Sequence, residues 1–213
     1  VPLRWAVPVD QAPGLDGAPL LLALLLGAIW LAGAGRRLRR EREEAAAVGR
    51  RLAEGEVPPE AVVGRGRYWA RRLGLRRPVE VRLGAVERAA ADGPWRATVV
   101  LPRAAVHWPA PVQDAVLAQA LAAVGTGLPL WRAAGRIACA LHWLVPGVER
   151  LGARLGEALV RVADERALGV LNDTLGFRRS LRHVADRLAG VPGPDLAPAA
   201  LWGDAEALRE RAE

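Results

Sequence analysis

The chain has 213 residues, a net charge of +7 and 52% hydrophobic residues, enough apolar material for one domain with a core, or for such a domain and a membrane anchor. All 30 basic residues are arginine, so mechanisms that need a Schiff-base or P-loop lysine are excluded. Ser180, the only serine, lies in no nucleophile-elbow motif, which disfavours serine hydrolase chemistry. Cys139 is the only cysteine, which excludes an intrachain disulfide.

An uncharged stretch of 19 residues, GAPLLLALLLGAIWLAGAG, predicts a transmembrane helix over residues 17–35. Its length is close to the roughly 20 residues that cross a bilayer core as a helix. The arginine-rich sequence RRLRRERE follows at residues 36–43, and arginines at one end of a span place that end in the cytoplasm. We therefore predict an extracytoplasmic segment over residues 1–16 and a cytoplasmic main domain.

The arginine cluster has a second interpretation, because clustered arginine is also typical of phosphate binding to nucleic acids. Its position directly after a hydrophobic span favours the membrane interpretation. The mixed arginine and glutamate pattern predicts a basic juxtamembrane helix and linker over residues 36–59. We expect the helix to end near Ala53, before Gly55 and the prolines at 58 and 59.

The next segment predicts a helix over residues 60–75, followed by a small sheet. Val62, Trp69 and Leu73 share one stripe of this helix and arginines cover the rest, which suits a solvated face or a face on anionic lipid. Strands are predicted at 78–84 and 96–102, separated by a loop that carries Asp92, Gly93 and Pro94.

The rest of the domain, which we delimit as residues 60–189, reads as helices separated by glycine, proline and asparagine. One stripe of apolar residues on the third helix is expected to face the core. Residues 190–213 are expected to form a Pro/Gly-rich linker and a polar C-terminal end. The predicted helices are 111–124, 129–144, 147–171 and 174–189. The predicted inward stripe is Val148, Leu151, Leu155, Leu159 and Val162. The fold class is thus mainly α with a small β-sheet.

The sequence VLAQALAAV, residues 116–124, carries no charge, and its helix has no polar stripe after Asp114. We therefore predict that this helix is the central, fully surrounded one. A central helix beside a small sheet is the layout of zincin peptidases, in which His-Glu-x-x-His puts two zinc ligands on one helical face with a general base beside them. Here the corresponding residues are QALAA, so the framework is present without the ligands.

Several local motifs occur in a fixed order between residues 18 and 188. They are a hydrophobic span ending in arginines, RRLGLRRPVEVRLG, TVVLP, VLAQALAAV, LHWLVP and VADERAL. In this order the chain resembles the bacterial membrane metallopeptidases of the BlaR/MecR type, which include β-lactam sensors. The resemblance implies a zincin-like helical domain, the bacterial inner membrane, a role in envelope signalling, and zinc in the active relatives.

The resemblance places the zinc-binding histidines on Gln119 and Ala123, the glutamate base on Ala120 and the third ligand on Val160. All four positions carry residues that cannot replace imidazoles and carboxylates, because a zinc site needs three good donors and a proton acceptor. We therefore predict no bound metal or other cofactor and no intact catalytic residue. Small apolar residues avoid burying unpaired charge, and Gln119 is expected to keep a hydrogen bond.

The remaining chemically capable residues have ordinary interpretations. His142 is expected to be a packed, hydrogen-bonded side chain, and His107 and His183 to lie at the surface. Cys139, in an apolar setting, is expected to be an inert, buried thiol.

Two acidic residues, Asp164 and Glu165, have two interpretations. They are remnants of the groups that once oriented the zinc ligands, or they pair with Arg161 and Arg166 on their own helix. His142 is a further candidate for such a remnant, beside its ordinary interpretation.

The favoured function is a non-catalytic signalling or regulatory pseudopeptidase in contact with the lipid bilayer and with an unidentified protein partner such as a cytoplasmic regulator. One alternative is an active membrane metallopeptidase with an unrecognised site. The other is an arginine-rich module, residues 36–77, that binds a membrane surface or nucleic acid. Nucleic acid is the less favoured partner, because the tryptophans are scattered rather than arranged as a stacking platform.

Overall fold

A computed structural model describes residues 17–84, 86, 89–92 and 97–188. The predicted segments 1–16 and 190–213, and the loop residues Gly93 and Pro94, lie outside the described residues. The described elements are α1 (Gly17–Ala53), α2 (Glu60–Arg72), β1 (Val79–Gly84), β2 (Ala90–Asp92), β3 (Ala97–Pro102), α3 (Ala110–Gly125), α4 (Leu128–Leu141), α5 (Val148–Leu171) and α6 (Thr174–Leu188). The prediction of a mainly helical fold with a small sheet is confirmed.

Helix α1 joins the predicted span and the predicted juxtamembrane helix without a break, and ends at Ala53 as expected. Leucines in its first half are more than half exposed, from Leu20 to Leu31. Within the described part of the chain, α1 alone is long and apolar enough to cross a membrane by itself. Helices α3 and α4 are long and apolar enough only when taken together, and they are bent by 53° relative to each other. Helix α3 is buried in the domain.

The helix boundaries follow from backbone chemistry at three connections. Gly127 and Gly147 precede α4 and α5 with φ of 75° and 89°, a left-handed conformation that glycine adopts without a side-chain clash. Asn172 ends α5 in the same region with φ of 53°. The predicted helices agree with the observed ones to within about three residues at each end, because these residues mark the ends in the sequence.

The three strands form one sheet in the order β1-β3-β2. β3 pairs in parallel with β1, with Val81 opposite Val99, and antiparallel with β2, with Ala91 opposite Val99. Strand β2 was not predicted, because three residues with two alanines carry no periodicity that distinguishes a strand from a loop. The central strand β3 supplies fully buried Val99 and Val100 to the core.

Helix α3 is the centre of the domain, and this prediction is confirmed. Every residue from Ala115 to Ala123 is buried. The helix packs against α2, α4, α5, α6 and the sheet. The uncharged stretch suits this place because no face of residues 115–123 meets water.

Helix α5 faces the core with a different stripe from the predicted one. Leu151 and Val162 are 68% and 47% exposed, whereas Ala163 and Ala167 are buried. Small side chains allow close approach of the helix backbones, and a Cβ atom at Gly152 would already lie 3.1 Å from the Cys139 sulfur of α4. The predicted inward stripe is therefore only partly right. Leu159 packs against the core, whereas Leu151, Leu155 and Val162 are exposed, and the fully buried residues of the helix are small alanines.

Helix α2 buries its predicted stripe, since Val62, Trp69 and Leu73 are each less than 10% exposed. The indole of Trp69 donates a hydrogen bond of 3.0 Å to Oδ1 of Asp114, and Arg65 donates one of 3.0 Å to Oδ2. The carboxylate of Asp114 therefore attaches α2 to the first turns of α3.

Candidate functional site

The residues that the zincin resemblance singles out lie on α3 and α5, which pack against each other. Gln119 on α3 is 1% exposed, and its Nε2 donates a hydrogen bond of 2.7 Å to Oδ1 of Asp164 on α5. The predicted hydrogen-bonding role of Gln119 is confirmed. Its partner is a charged side chain, so the bond belongs to the stronger class of protein hydrogen bonds.

The other three positions that the resemblance singles out carry apolar residues. Ala120 and Ala123 are fully buried in the core, and Val160 packs against the same core while half-buried. Their methyl groups have no lone pairs and cannot accept a proton. At the positions where the resemblance would place the second histidine, the base and the third ligand, this chain has only hydrocarbon side chains.

The side chains at these positions do not fit a zinc site. Structural and catalytic zinc sites use at least three donors from cysteine, histidine or carboxylate groups. Within residues 17–84, 86, 89–92 and 97–188, no group of three or more such side chains is arranged to hold a metal ion. Gln119 and Asp164 together offer one amide and one carboxylate, which does not make a zinc site.

Asp164 and Glu165, two neighbouring acidic residues of α5, have different environments. Asp164 is half-buried and faces α3, whereas Glu165 is exposed. Arg166 donates hydrogen bonds to the backbone carbonyls of Gly125, at 3.2 Å, and Leu73, at 3.1 Å. Arg166 thus attaches α5 to the C-terminal ends of α3 and α2.

The three histidines lie on three different elements. His142 ends α4, is exposed, and its Nδ1 lies 3.0 Å from the carbonyl oxygen of Ala138. The expected hydrogen bond of His142 is present, but its expected packing is wrong, because the helix ends there and the side chain is exposed. His107 is exposed at the end of a short 3-10 turn, as expected, and half-buried His183 accepts a hydrogen bond of 3.1 Å from Arg187 on α6.

Cys139 is half-buried, and its Sγ lies 3.5 Å from the carbonyl oxygen of Val148. Burial raises the pKa of the Cys139 thiol, and the nearby carboxylate of Glu149 raises it further. A higher pKa means less thiolate at neutral pH, in keeping with the expected inert thiol, although its burial is only partial.

A cavity of about 380 Å³ lies between α1, α4 and α5, beside Cys139. Two ion pairs border it: Arg37 with Glu149 at 2.6 Å, and Arg136 with Glu41 at 3.5 Å. Both pairs join the charged half of α1 to the domain. The sequence did not indicate this site, although charged residues of both signs on α1 were a signal that the helix has partners.

The turn between α4 and α5 also contacts α1. The indole nitrogen of Trp143 donates a hydrogen bond of 3.3 Å to the backbone carbonyl of Trp30. Its ring lies so close to Gly33 that a Cβ atom there would overlap it. This contact lies within the uncharged half of α1.

Comparison of the chain with models of protein families, with curated proteins and with solved structures gave no match.

Proposed function

We propose that the protein is a membrane-anchored, non-catalytic homologue of the BlaR/MecR-type zinc metallopeptidases of the bacterial inner membrane, which acts by binding a protein partner. The observation that carries the proposal is the hydrogen bond between Gln119 and Asp164. Residues four apart share a helical face, so Ala123 lies on the face of Gln119, and Val160 on the face of Asp164. The contact therefore brings together the faces on which the resemblance places the zinc ligands.

The loss of catalysis follows from the residues at those positions. A buried histidine or glutamate without metal would be an unpaired polar group, which costs several kcal/mol or shifts its protonation. Methyl groups at Ala120 and Ala123 remove that cost and let the helices pack as an ordinary core. The scaffold of a peptidase then serves as a stable binding domain.

The membrane part of the proposal rests on α1. Its first half is apolar and exposed, and Arg37 and Glu41 in its second half form ion pairs with α5 and α4. These contacts hold the domain next to the end of the span, on the arginine-rich side that bacterial proteins keep in the cytoplasm. A regulator in the cytoplasm is the partner that such an arrangement can reach.

The arginines after the span support this interpretation over phosphate binding. Arg39 and Arg40 each form a hydrogen-bonded ion pair with the glutamate one turn further on, Glu43 and Glu44. Such i,i+4 pairs are typical of a solvated helix and neutralise charge that a nucleic acid would need.

Restoring the ligands tests the proposal. The quadruple variant Gln119→His, Ala120→Glu, Ala123→His and Val160→Glu puts three zinc donors and a base on the facing sides of α3 and α5. We expect it to bind zinc by calorimetric titration and to melt at a higher temperature with zinc, since a ligand of the folded state stabilises it. The parent protein, purified in detergent, is expected to contain no stoichiometric zinc by elemental analysis.

A matched control moves the histidine pair by one residue, to Ala118→His and Ala122→His, with the same Val160→Glu change. These positions are also buried and four apart, but they point to another side of α3. If the quadruple variant binds zinc no better than this control, the positions do not converge and the relationship to the peptidases is wrong. Circular dichroism on both variants, and the double variant Gln119→His/Ala123→His titrated with zinc, separate a failure to bind from a failure to fold.

A further inference from the structure

The turn between α4 and α5, residues 142–147, lies beside the apolar half of α1 rather than beside its charged half. Trp143 contacts α1 at Trp30 and Gly33, and both contact residues precede Arg36, the first arginine after the uncharged stretch. At 1.5 Å per residue along a helix, these contacts lie about 5–9 Å on the apolar side of Arg36. The depth of the turn relative to the span is thus set by direct contact.

The side chains that follow Trp143 suit that depth. Leu144 and Val145 are 60% and 53% exposed, directly after a tryptophan that is itself held against α1. Tryptophan is enriched where lipid headgroups meet the acyl chains, and interfacial segments bury their apolar residues about 5–10 Å into that boundary. Arg150, on the first turn of α5, is exposed, as an arginine beside lipid headgroups would be.

We propose that this turn inserts Trp143, Leu144 and Val145 into the cytoplasmic leaflet of the bilayer that α1 crosses, so that lipid covers them. The inference rests on the membrane anchor of the proposed function. It adds a second membrane contact, which fixes the orientation of the domain on the membrane. The bilayer is the occupant because the apolar surface of the turn continues that of α1 at the same level.

Site-specific fluorescence quenching tests the insertion in the full chain. In a Cys139→Ala background, Leu144→Cys carries an environment-sensitive fluorophore, and the protein is reconstituted into phosphatidylcholine/phosphatidylglycerol vesicles. Quenchers are a lipid with a spin label near the headgroup end of its acyl chain, and iodide in the aqueous phase. We expect strong quenching by the lipid and weak quenching by iodide.

Leu175→Cys is the matched control, because this leucine on α6 is 68% exposed and lies beyond the far end of the 24-residue helix α5. It should be quenched by iodide, with the lipid quenching at Leu144 several-fold stronger than at this site. Leu25→Cys, within α1, reports on the anchor itself and should be quenched by lipid alone.

The outcomes separate the two proposals. If Leu144 responds to iodide as Leu175 does while Leu25 is quenched by lipid, α1 is an anchor and the inserted turn is wrong. Protection of Leu144 from both quenchers would mean that protein, such as a second copy, covers the turn, and would also overturn the inference. If Leu25 is not quenched by lipid, the anchor and the inserted turn both fail, whereas the zinc titration still tests the peptidase relationship.

Discussion

Gln119 and Asp164, 45 residues apart in the chain, are joined by a hydrogen bond of 2.7 Å between the central helix and α5. Replacement of Gln119 by leucine keeps the volume but removes the donor, so the Asp164 carboxylate loses a bond in a partly buried place. Hydrogen bonds to charged groups contribute about 1.5–3 kcal/mol, and we expect a loss of stability in that range. Thermal unfolding followed by circular dichroism measures it.

A double-mutant cycle checks that the loss belongs to this pair. The variant Gln119→Leu/Asp164→Ala should be less destabilised than the sum of its two single variants, because each single change already removes the hydrogen bond that joins the two side chains. Strictly additive losses would contradict the role of the hydrogen bond.

Asp114 should contribute to the attachment of α2 to α3. Asp114→Ala removes the acceptor of both Trp69 and Arg65, and we expect a loss of about 1.5–3 kcal/mol in thermal unfolding. Asp114→Asn keeps an oxygen for the indole and loses only the charge opposite a partly exposed arginine, so its cost should be about 0.2–1 kcal/mol. Equal costs for the two variants would show that the charge, rather than the indole bond, dominates.

Cys139 should react slowly with alkylating reagents at neutral pH. Its pKa is raised by burial, so a smaller fraction is thiolate than for an ordinary cysteine. The rate of alkylation by iodoacetamide should be lower than that of Leu175→Cys in the Cys139→Ala background, and should still be rising with pH where the control levels off. A rate at Cys139 equal to that of the control would contradict the effect of burial.

The same shift has a consequence for stability. A thiol whose pKa is raised in the folded state favours folding below the pKa of the unfolded chain, and this contribution is lost as pH rises through the folded pKa. Unfolding temperatures of the parent should therefore fall slightly more on going to alkaline pH than those of Cys139→Ala.

The orientation of α1 can be tested with reporter fusions. Fusions after Asp16 and after Arg51 should give opposite signals, extracytoplasmic for the first and cytoplasmic for the second, because residues 36–42 carry five arginines whereas residues 1–16 carry one. A cytoplasmic signal from both fusions would mean that α1 does not cross the membrane.

Much of the fold follows from local signals in the sequence. Prolines, glycines with positive φ and Asn172 mark where helices end, because few other residues tolerate those conformations. The central place of α3 follows from its lack of charge, since only a surrounded helix can do without a polar face. These features act within one element, and a single sequence reveals them.

The contacts between elements are less accessible to sequence reasoning. Leu151 and Val162 repeat at helical spacing, yet α5 packs through Ala163 and Ala167, because periodicity identifies an apolar face but not which face has a neighbour. The hydrogen-bond partner of Gln119 could not be predicted for the same reason, since Asp164 lies on another helix. Strand β2 exists only through its pairing with β3, so its own three residues could not reveal it.

The continuity of α1 has a mechanical consequence. The helix runs for 37 residues from Gly17 to Ala53, about 55 Å as a single rod. An α-helix resists twisting about its axis, so a rotation or a tilt of its first half turns Arg37 and Glu41, and with them the paired Glu149 and Arg136 on α5 and α4. In the membrane-anchored protein that we propose, a force on the exposed apolar half of α1 therefore exerts a torque on α5, the helix that carries Asp164.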